Sequence, residues 1–329
     1  MTITYKNKLY FLIILIAVFV LLYSGSLIFE SGVTSGRSSF VWLDSKAAEK
    51  AGRIAAIVQL NEEEQVEFDL SKRNNKWFIT VNDKSFPARQ IRVQDFLNLL
   101  TARSAWQVRS TTASSHERFG LNEKASRITI YGDDSFAAET ILLDLMLGND
   151  DELKNETYFR KADQNEVRSG DRSVKTYLTS PVSNWFNLRL IPESDAGKVD
   201  LSDVQRVTVT TPSETQIFTR WNRSWTITGI QLTTPDIPAI ENYLRIIINA
   251  EGDSFDADVS RDNTEFEHSR IVIEMSNARI ITISLNEGDE SGRRLAKVSG
   301  SSYEGYIYSI PQWSAGRLFR DGTSFEFQQ

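Results

Sequence analysis

The chain has 329 residues, 40% apolar and 25% charged, which is enough apolar mass for two ordinary domains and too much for a wholly disordered polymer. Lys and Arg total 37 against 44 for Asp and Glu, a formal charge of -7 that argues against a general phosphate-binding surface and against nucleic acid as a partner. Cysteine is absent, which excludes disulfides, thiolate metal sites and a cysteine nucleophile, and leaves His116 and His268 as the only imidazoles.

The apolar residues are concentrated first at the N-terminus. Leu9 to Phe29 reads LYFLIILIAVFVLLYSGSLIF, broken only by Ser24, Gly25 and Ser26. At about 1.5 Å per residue such a helix spans a bilayer core of about 30 Å. Lys6 and Lys8 precede it in a tail without acidic residues, while Glu30, Asp44 and Glu49 follow, so the positive-inside rule puts the N-terminus in the cytoplasm. A cleaved signal peptide shares this order, but the run is long for one and no Ala-x-Ala-like site follows closely. A buried core helix would need partner surfaces on all sides. Residues 1–30 are therefore expected to be a cytoplasmic tail and uncleaved transmembrane anchor in a single-pass inner-membrane protein, with the lipid bilayer as a partner and the main domains periplasmic or otherwise extracytoplasmic.

Residues 31–49 are expected to be a tether, rich in Gly and Ser from Ser31 to Ser39, and Asp44 to Val58 has helical potential. Alternation follows. Val66, Phe68 and Leu70, the polar turn SKRNN, and then Trp77, Ile79 and Val81 make a hairpin. The pattern returns at Gln216 to Thr219 and Trp225 to Thr228, with Trp77 matched by Trp225. A helix follows each hairpin, at Val93 to Leu100 and at Ile237 to Ile248.

Ser126 to Ile130 then resembles Ser269 to Ile273, with partner strands at Glu139 to Leu143 and Ala278 to Thr282. Turns are expected at Gly148-Asn149-Asp150 and at Asn286 to Asp289. Further strands are expected near Tyr158 and Tyr177 in the first copy and near Leu295 and Tyr308 in the second. Trp185, Arg189 and Leu190 match Trp313, Arg317 and Leu318. The repeat is domain-sized, longer than a solenoid unit.

The fold class expected is α+β: two tandem similar domains, each a curved antiparallel sheet with a packed helix, after one N-terminal transmembrane helix. The first domain is placed at 50–192, a linker at 193–199 and the second domain at 200–329. The covering helices contribute Phe96, Leu99 and Leu100, or Ile240, Tyr243, Leu244 and Ile247. Trp77, Trp185, Trp225 and Trp313 recur at matched positions and are expected in the cores; Trp42, Trp106 and Trp221 are freer.

Catalytic signatures are weak. The two histidines lack the spacing of a local zinc motif, no G-x-S-x-G elbow occurs, and any choice of a carboxylate pair is arbitrary. Neither G-x-x-x-x-G-K-[ST] nor G-x-G-x-x-G is present. The loop 256–267 places Asp256, Asp258, Ser260, Asp262, Thr264 and Glu267 at calcium-loop positions, yet Arg261 stands where the tight turn needs Gly and a strand follows, so a solvated loop is expected. Asn155-Glu156-Thr157 and Asn222-Arg223-Ser224 match glycan-acceptor spacing. No catalytic residue, metal ligand or cofactor is assigned.

Trp77-Phe78-Ile79-Thr80 after an alternating strand, the helix ending Phe96-Leu97-Asn98-Leu99-Leu100, Phe119-Gly120-Leu121 ahead of Ile128 and Ile130, and Leu147-Gly148 followed by Tyr158-Phe159-Arg160-Lys161 resemble the bacterial domain-of-unknown-function family 4340. The resemblance covers most of residues 50–329 in two copies, the second lacking the Phe-Gly-Leu segment. It implies a membrane-anchored accessory component beside an inner-membrane complex, such as the subunits of a gliding-type ABC transport system, and it transfers no catalytic residues. The leading expectation is thus a noncatalytic membrane-anchored accessory or scaffold protein of an envelope complex. The alternative is an extracytoplasmic binding module for an envelope polymer, lipid or small solute.

Overall fold

The computed structural model describes residues 37–61, 63–133, 140–153, 155–191, 199–256, 265–301 and 303–327, together with Ile16 and Phe19. The first half of the chain runs β1 (Arg37–Phe40), α1 (Ser45–Glu49), β2 (Ala51–Gln59), β3 (Gln65–Arg73), β4 (Lys76–Val81), β5 (Lys84–Pro87), α2 (Gln90–Thr101) and β6 (Ser104–Ser110). Two 3-10 turns, Ala113–Ser115 and Glu117–Phe119, lead into β7 (Ser126–Gly132), β8 (Ile141–Asp150), β9 (Glu156–Lys161), β10 (Val167–Asp171), α3 (Ser173–Thr179) and a 3-10 turn at Val182–Trp185.

The second half opens with a 3-10 turn, Leu201–Asp203. It continues as β11 (Val204–Thr210), β12 (Thr215–Trp221), β13 (Ser224–Thr228), α4 (Ile237–Ile248), β14 (Ser254–Phe255), β15 (Ser269–Met275), β16 (Ile280–Leu285), β17 (Arg294–Ser299), β18 (Ile307–Ile310), α5 (Gln312–Leu318) and a 3-10 turn at Gly322–Phe325.

Two-residue turns explain the hairpins. Asn74 and Asn75 have φ of 51 and 61°, and Asn222 and Arg223 have φ of 47 and 67°. Two successive left-handed residues are what a tight hairpin needs to match the twist of its strands, and Asn tolerates that region best after Gly. β12 and β13 pair in register from Ile217 opposite Thr228 to Trp221 opposite Ser224.

The described strands form a ten-stranded sheet, β1-β6-β10-β9-β8-β7-β2-β3-β4-β5, and an eight-stranded sheet, β13-β12-β11-β15-β16-β17-β18-β14. Read from opposite ends, the second order repeats the first strand by strand, with β1 and β5 as additions at the edges of the larger sheet. The chain divides into two compact units that do not coincide with the two sheets: Met1–Asp69 with Gln94–Pro181, and Leu70–Val93 with Val182–Gln329.

In the first unit, Ile54, Ala56 and Val58 of β2, Ile128 and Ile130 of β7, Leu143, Leu145 and Leu147 of β8, and Phe159 of β9 are buried. Period-two burial of this kind leaves the opposite face of each strand for other work. Phe96, Leu97 and Leu100 of α2 and Val174 and Leu178 of α3 are buried as well. In the second unit, Ile240, Tyr243, Leu244 and Ile247 of α4 join Val207, Phe218, Trp225, Ile271, Ile283 and Phe325 in one apolar cluster. Asp236 caps α4 by accepting from the Ala239 N–H at 3.0 Å, and Pro lies in its first turn, where its missing donor costs nothing.

Several expectations are corrected. The transmembrane run Leu9 to Phe29 lies, apart from Ile16 and Phe19, outside the described residues, and no helix among the described residues is long and apolar enough to cross a membrane. The fold is corrected to what the described residues form: two sheet-plus-helix assemblies, none of whose helices is long and apolar enough to cross a membrane. The signal anchor, the bilayer as a partner and the single-pass inner-membrane placement are accordingly supported by no helix among the described residues.

Only Ser45–Glu49 of the Asp44 to Val58 stretch is helical, because the β-branched Ile54, Ile57 and Val58 fit a pleated strand, and β2 pairs with β7. Tyr177 belongs to α3 instead of a strand, and Gly148-Asn149-Asp150 ends β8 instead of forming a turn. Trp77, Trp185 and Trp225 are buried as expected, but Trp313 is 67% exposed. The matching 3-10 turn, Gly322–Phe325, ends instead on Phe325, and its ring fills the core there.

Candidate ligand site on the first sheet

The face of β7, β8 and β9 opposite the buried one carries a cross-strand row. Ile57 stands opposite Arg127, Arg127 opposite Met146, and Met146 opposite Arg160. Neighbouring strands lie about 4.8 Å apart, so the two arginines leave the sheet roughly 10 Å from each other with a methionine between them. All four side chains line a cavity of about 690 Å³, closed on its other side by the segment from Ala113 to Ala125.

That segment is fixed locally. The N–H groups of Phe119 and Leu121 donate to the His116 carbonyl at 3.1 and 2.9 Å, and the Gly120 N–H donates to that of Glu117 at 3.0 Å. Gly120 has φ of 68°, a conformation that glycine adopts without strain. The Phe119 ring packs against Tyr158 with centroids 4.6 Å apart, and Phe119, Leu121, Met146 and Val167 form a small buried cluster of their own. His116 stands at the cavity wall, where its Nε2–H donates to the Asn165 carbonyl at 3.1 Å.

The two arginines are held differently. Arg127 makes a two-pronged ion pair with Asp144, Nε–H to Oδ1 at 2.8 Å and Nη2–H to Oδ2 at 2.5 Å. The Asp144 hydrogen bonds raise the Arg127 pKa against the opposing effect of burial. Arg160 makes no salt bridge among the described residues; its Nη1 donates to the carbonyls of Lys161, Ala162 and Gln164 at 3.2, 3.0 and 3.3 Å, and its Nε is buried without a partner among them. Burial first, and the Arg127 charge second, lower the Arg160 pKa, with Asp144 offsetting them in part. A guanidinium remains charged throughout the ordinary pH range, so Arg160 presents to the cavity a positive charge that Asp144 offsets only in part.

The apolar lining comes from Ile57, Leu121 and Met146, and Glu117 and Glu123 stand exposed at the rim. A second concavity, also about 690 Å³, shares Glu117, Asn122 and Ala125 with the first. There the Lys175 ammonium donates to the Gly148 carbonyl at 2.9 Å and to Asp150 Oδ1 at 3.1 Å, which occupies it internally.

The residues singled out in the sequence take other places. His268 is half-buried before β15 in the second unit, so the histidines belong to separate units. Most of the loop 256–267, including Asp258, Ser260, Asp262 and Thr264, lies outside the described residues. Among the described residues no group of three or more His, Asp or Glu converges in a way that could hold a metal ion. Asp151 Oδ1 accepts from the N–H groups of Asn155 and Glu156, making this acidic stretch a turn support. Trp42 and Trp106 pack edge to face at 5.1 Å, and Trp221 is exposed.

Arg127 and Arg160 escaped the sequence reading. Each stands in an alternating strand where a polar residue is ordinary on a solvent face. Only the cross-strand register, which no local spacing encodes, brings them to one cavity.

A family model described as "Domain of unknown function (DUF4340)" matches residues 77–244. The interval runs from Trp77 in β4 to Leu244 in α4 and includes Phe119-Gly120-Leu121, Arg127, Met146, Gly148 and Arg160. It is one stretch: it supplies no second copy and no relation to gliding-type or ABC transport systems. No curated protein and no solved structure matches the chain.

Proposed function

We propose that this chain, which belongs to the DUF4340 family, is a noncatalytic binding module for a small amphipathic monoanion, held in the cavity between Leu121 and the Arg127–Met146–Arg160 row. The membrane-anchored accessory reading rested on a transmembrane helix that no described helix supplies, and the binding reading replaces it. The observation that carries the proposal is Arg160: a partly buried guanidinium without a salt bridge among the described residues, in a cavity whose apolar lining includes Ile57, Leu121 and Met146 and whose other charged residues are Arg127, Glu117 and Glu123. A charge without a salt bridge in a partly desolvated site is an affinity for the opposite charge, and the apolar part of the lining favours a hydrocarbon tail. Glu117 and Glu123 at the rim disfavour a multiply charged ligand. The matching strand orders of the two sheets support a further proposal, that the chain arose by duplication of one sheet-plus-helix unit.

Octanoate is a suitable probe, titrated calorimetrically into the full chain with octanol and octyl phosphate as controls. Octanoate is expected to bind more tightly than either. Arg160→Gln is expected to weaken it about 10- to 100-fold, the loss of a charge-assisted hydrogen bond worth about 1.5–3 kcal/mol. Equal binding of octanol, or an unchanged affinity in Arg160→Gln, would overturn the reading.

A further inference from the structure

The second unit carries a site of different chemistry. The Tyr243 hydroxyl of α4 donates to the Leu318 carbonyl at the end of α5 at 2.6 Å, a buried bond that fixes the two helices against each other. Their outer turns leave a groove of about 340 Å³ lined by Trp313, Arg317 and Leu318 from α5 and by Arg245, Asn249 and Glu251 from or just beyond α4.

Trp313 forfeits the burial that an indole ordinarily gains, being 67% exposed, and it makes no ring contact with another described residue. Trp42 and Trp106, by contrast, are covered by aromatic rings, and Trp185 lies under the Arg92 guanidinium at 4.7 Å. One helical turn separates Trp313 from Arg317, so both project from one face of α5. Neither Arg317 nor Arg245 makes a salt bridge among the described residues, although the Arg245 charge reaches the exposed Asp200 carboxylate. Asn249 and Glu251 are already engaged. Asn249 donates to the Arg245 carbonyl at 2.7 Å and accepts from Arg189 at 3.2 Å, and Glu251 pairs with Arg89 at 3.5 Å.

An open aromatic face beside two guanidiniums that make no salt bridge among the described residues selects a ligand that is flat and apolar on one side and anionic at its edge. We propose that this groove binds an acidic pyranose, a uronic acid residue of a polysaccharide, stacked on the Trp313 indole with its carboxylate held by Arg317 and Arg245. The volume suits a sugar ring, and the planar guanidinium fork matches a carboxylate. A nucleotide fits less well. Its phosphates would bring several negative charges to a chain of charge -7 and close to Glu251, with no glycine-rich phosphate loop to receive them.

The full chain would be titrated calorimetrically with trigalacturonate, maltotriose and uridine monophosphate at low ionic strength. Trigalacturonate is expected to bind at least tenfold more tightly than the other two and to weaken as salt is added. Trp313→Ala and Arg317→Ala are each expected to reduce its affinity at least tenfold, with circular dichroism unchanged, and Trp313→Phe to retain more affinity than Trp313→Ala. Arg160→Gln, in the other unit, is expected to leave trigalacturonate binding intact, so this site and the anion cavity succeed or fail separately. Maltotriose or uridine monophosphate binding as tightly, or an unchanged affinity in either Ala variant that keeps its fold, would overturn the proposal.

Discussion

A Cβ placed on Gly148 would stand 2.2 Å from the Phe119 carbonyl oxygen and 3.0 Å from Leu121 Cγ. The Phe-Gly-Leu turn and the Leu-Gly pair on β8, which the sequence shows as separate motifs, are thus two halves of one contact. The turn presses its backbone onto the sheet where the sheet offers no side chain. Gly148→Ala should push the turn off β8, costing about 1–3 kcal/mol as overpacking does, and should deform the cavity wall that Leu121 provides. Urea unfolding would show the lowered midpoint, and octanoate titration the weakened site.

Gly120 faces Asn149 in the same contact. A Cβ there would meet the Asn149 amide at 2.4 Å, but that side chain can swing away, so the main cost of Gly120→Ala is the left-handed backbone, about 1 kcal/mol. The smaller loss relative to Gly148→Ala is measurable in the same unfolding experiment. A reversed order would mean that the Phe119 carbonyl does not sit on β8.

Tyr243 links α4 to α5 through the Leu318 carbonyl, and burial raises its pKa well above the ordinary phenol value, the hydrogen-bond and charge effects of Arg320 opposing only in part. A folded-state pKa above the unfolded value of about 10 means that the protonated form belongs to the fold. Its contribution is fully present below about pH 10 and is lost as pH rises toward the higher folded value. Tyr243→Phe should cost about 1 kcal/mol at neutral pH and should flatten the fall of stability above about pH 10. Unfolding midpoints across that range test both effects.

Asp150 has the opposite sign. Burial raises its pKa, but the Thr157 hydroxyl at 2.7 Å, Lys175 at 3.1 Å and Arg172 at 2.9 Å outweigh it, and the net shift is downward. A lowered folded pKa gives stability that is present above the unfolded value of about 3.9 and is lost as pH falls through the folded one. Asp150→Asn should therefore be less stable than the parent at pH 7, with the gap closing below about pH 4. A gap that persists in acid would point to packing around Lys175 instead of charge.

The elements that were legible in the sequence are those specified by local chemistry. Period-two runs around Phe68, Trp77 and Phe218, the Asn-rich tight turns, and the apolar stripe of Ile237–Ile248 each carry their own code. Alternation did not distinguish α3 from a strand at Tyr177, since a short segment with buried Val174 and Leu178 has too few residues to show a period. Site residues were less legible. Arg127 and Arg160 come together because β8 pairs with β7 on one side and β9 on the other, a non-local fact.

Trp185 and Trp313 show the same limit from the side of packing, since both precede an Arg four residues on and a Leu after it, and only one is in a core. Trp185 ends its 3-10 turn, has no exposed surface, and has its carbonyl bound by the Arg89 N–H at 2.7 Å; Trp313 lies on the outer face of α5 while Ala315 and Leu318 take the inner one. Removing the first should leave a large cavity, so Trp185→Ala is expected to cost about 3–5 kcal/mol, or to prevent folding of the second unit. Trp313→Ala removes an indole that contacts little and is expected to change stability by no more than about 0.5 kcal/mol. Parallel urea titrations of the two variants measure the difference. A large loss in Trp313→Ala would mean that its indole is covered in the folded protein, and the groove beside Arg317 would then not be open to a ligand.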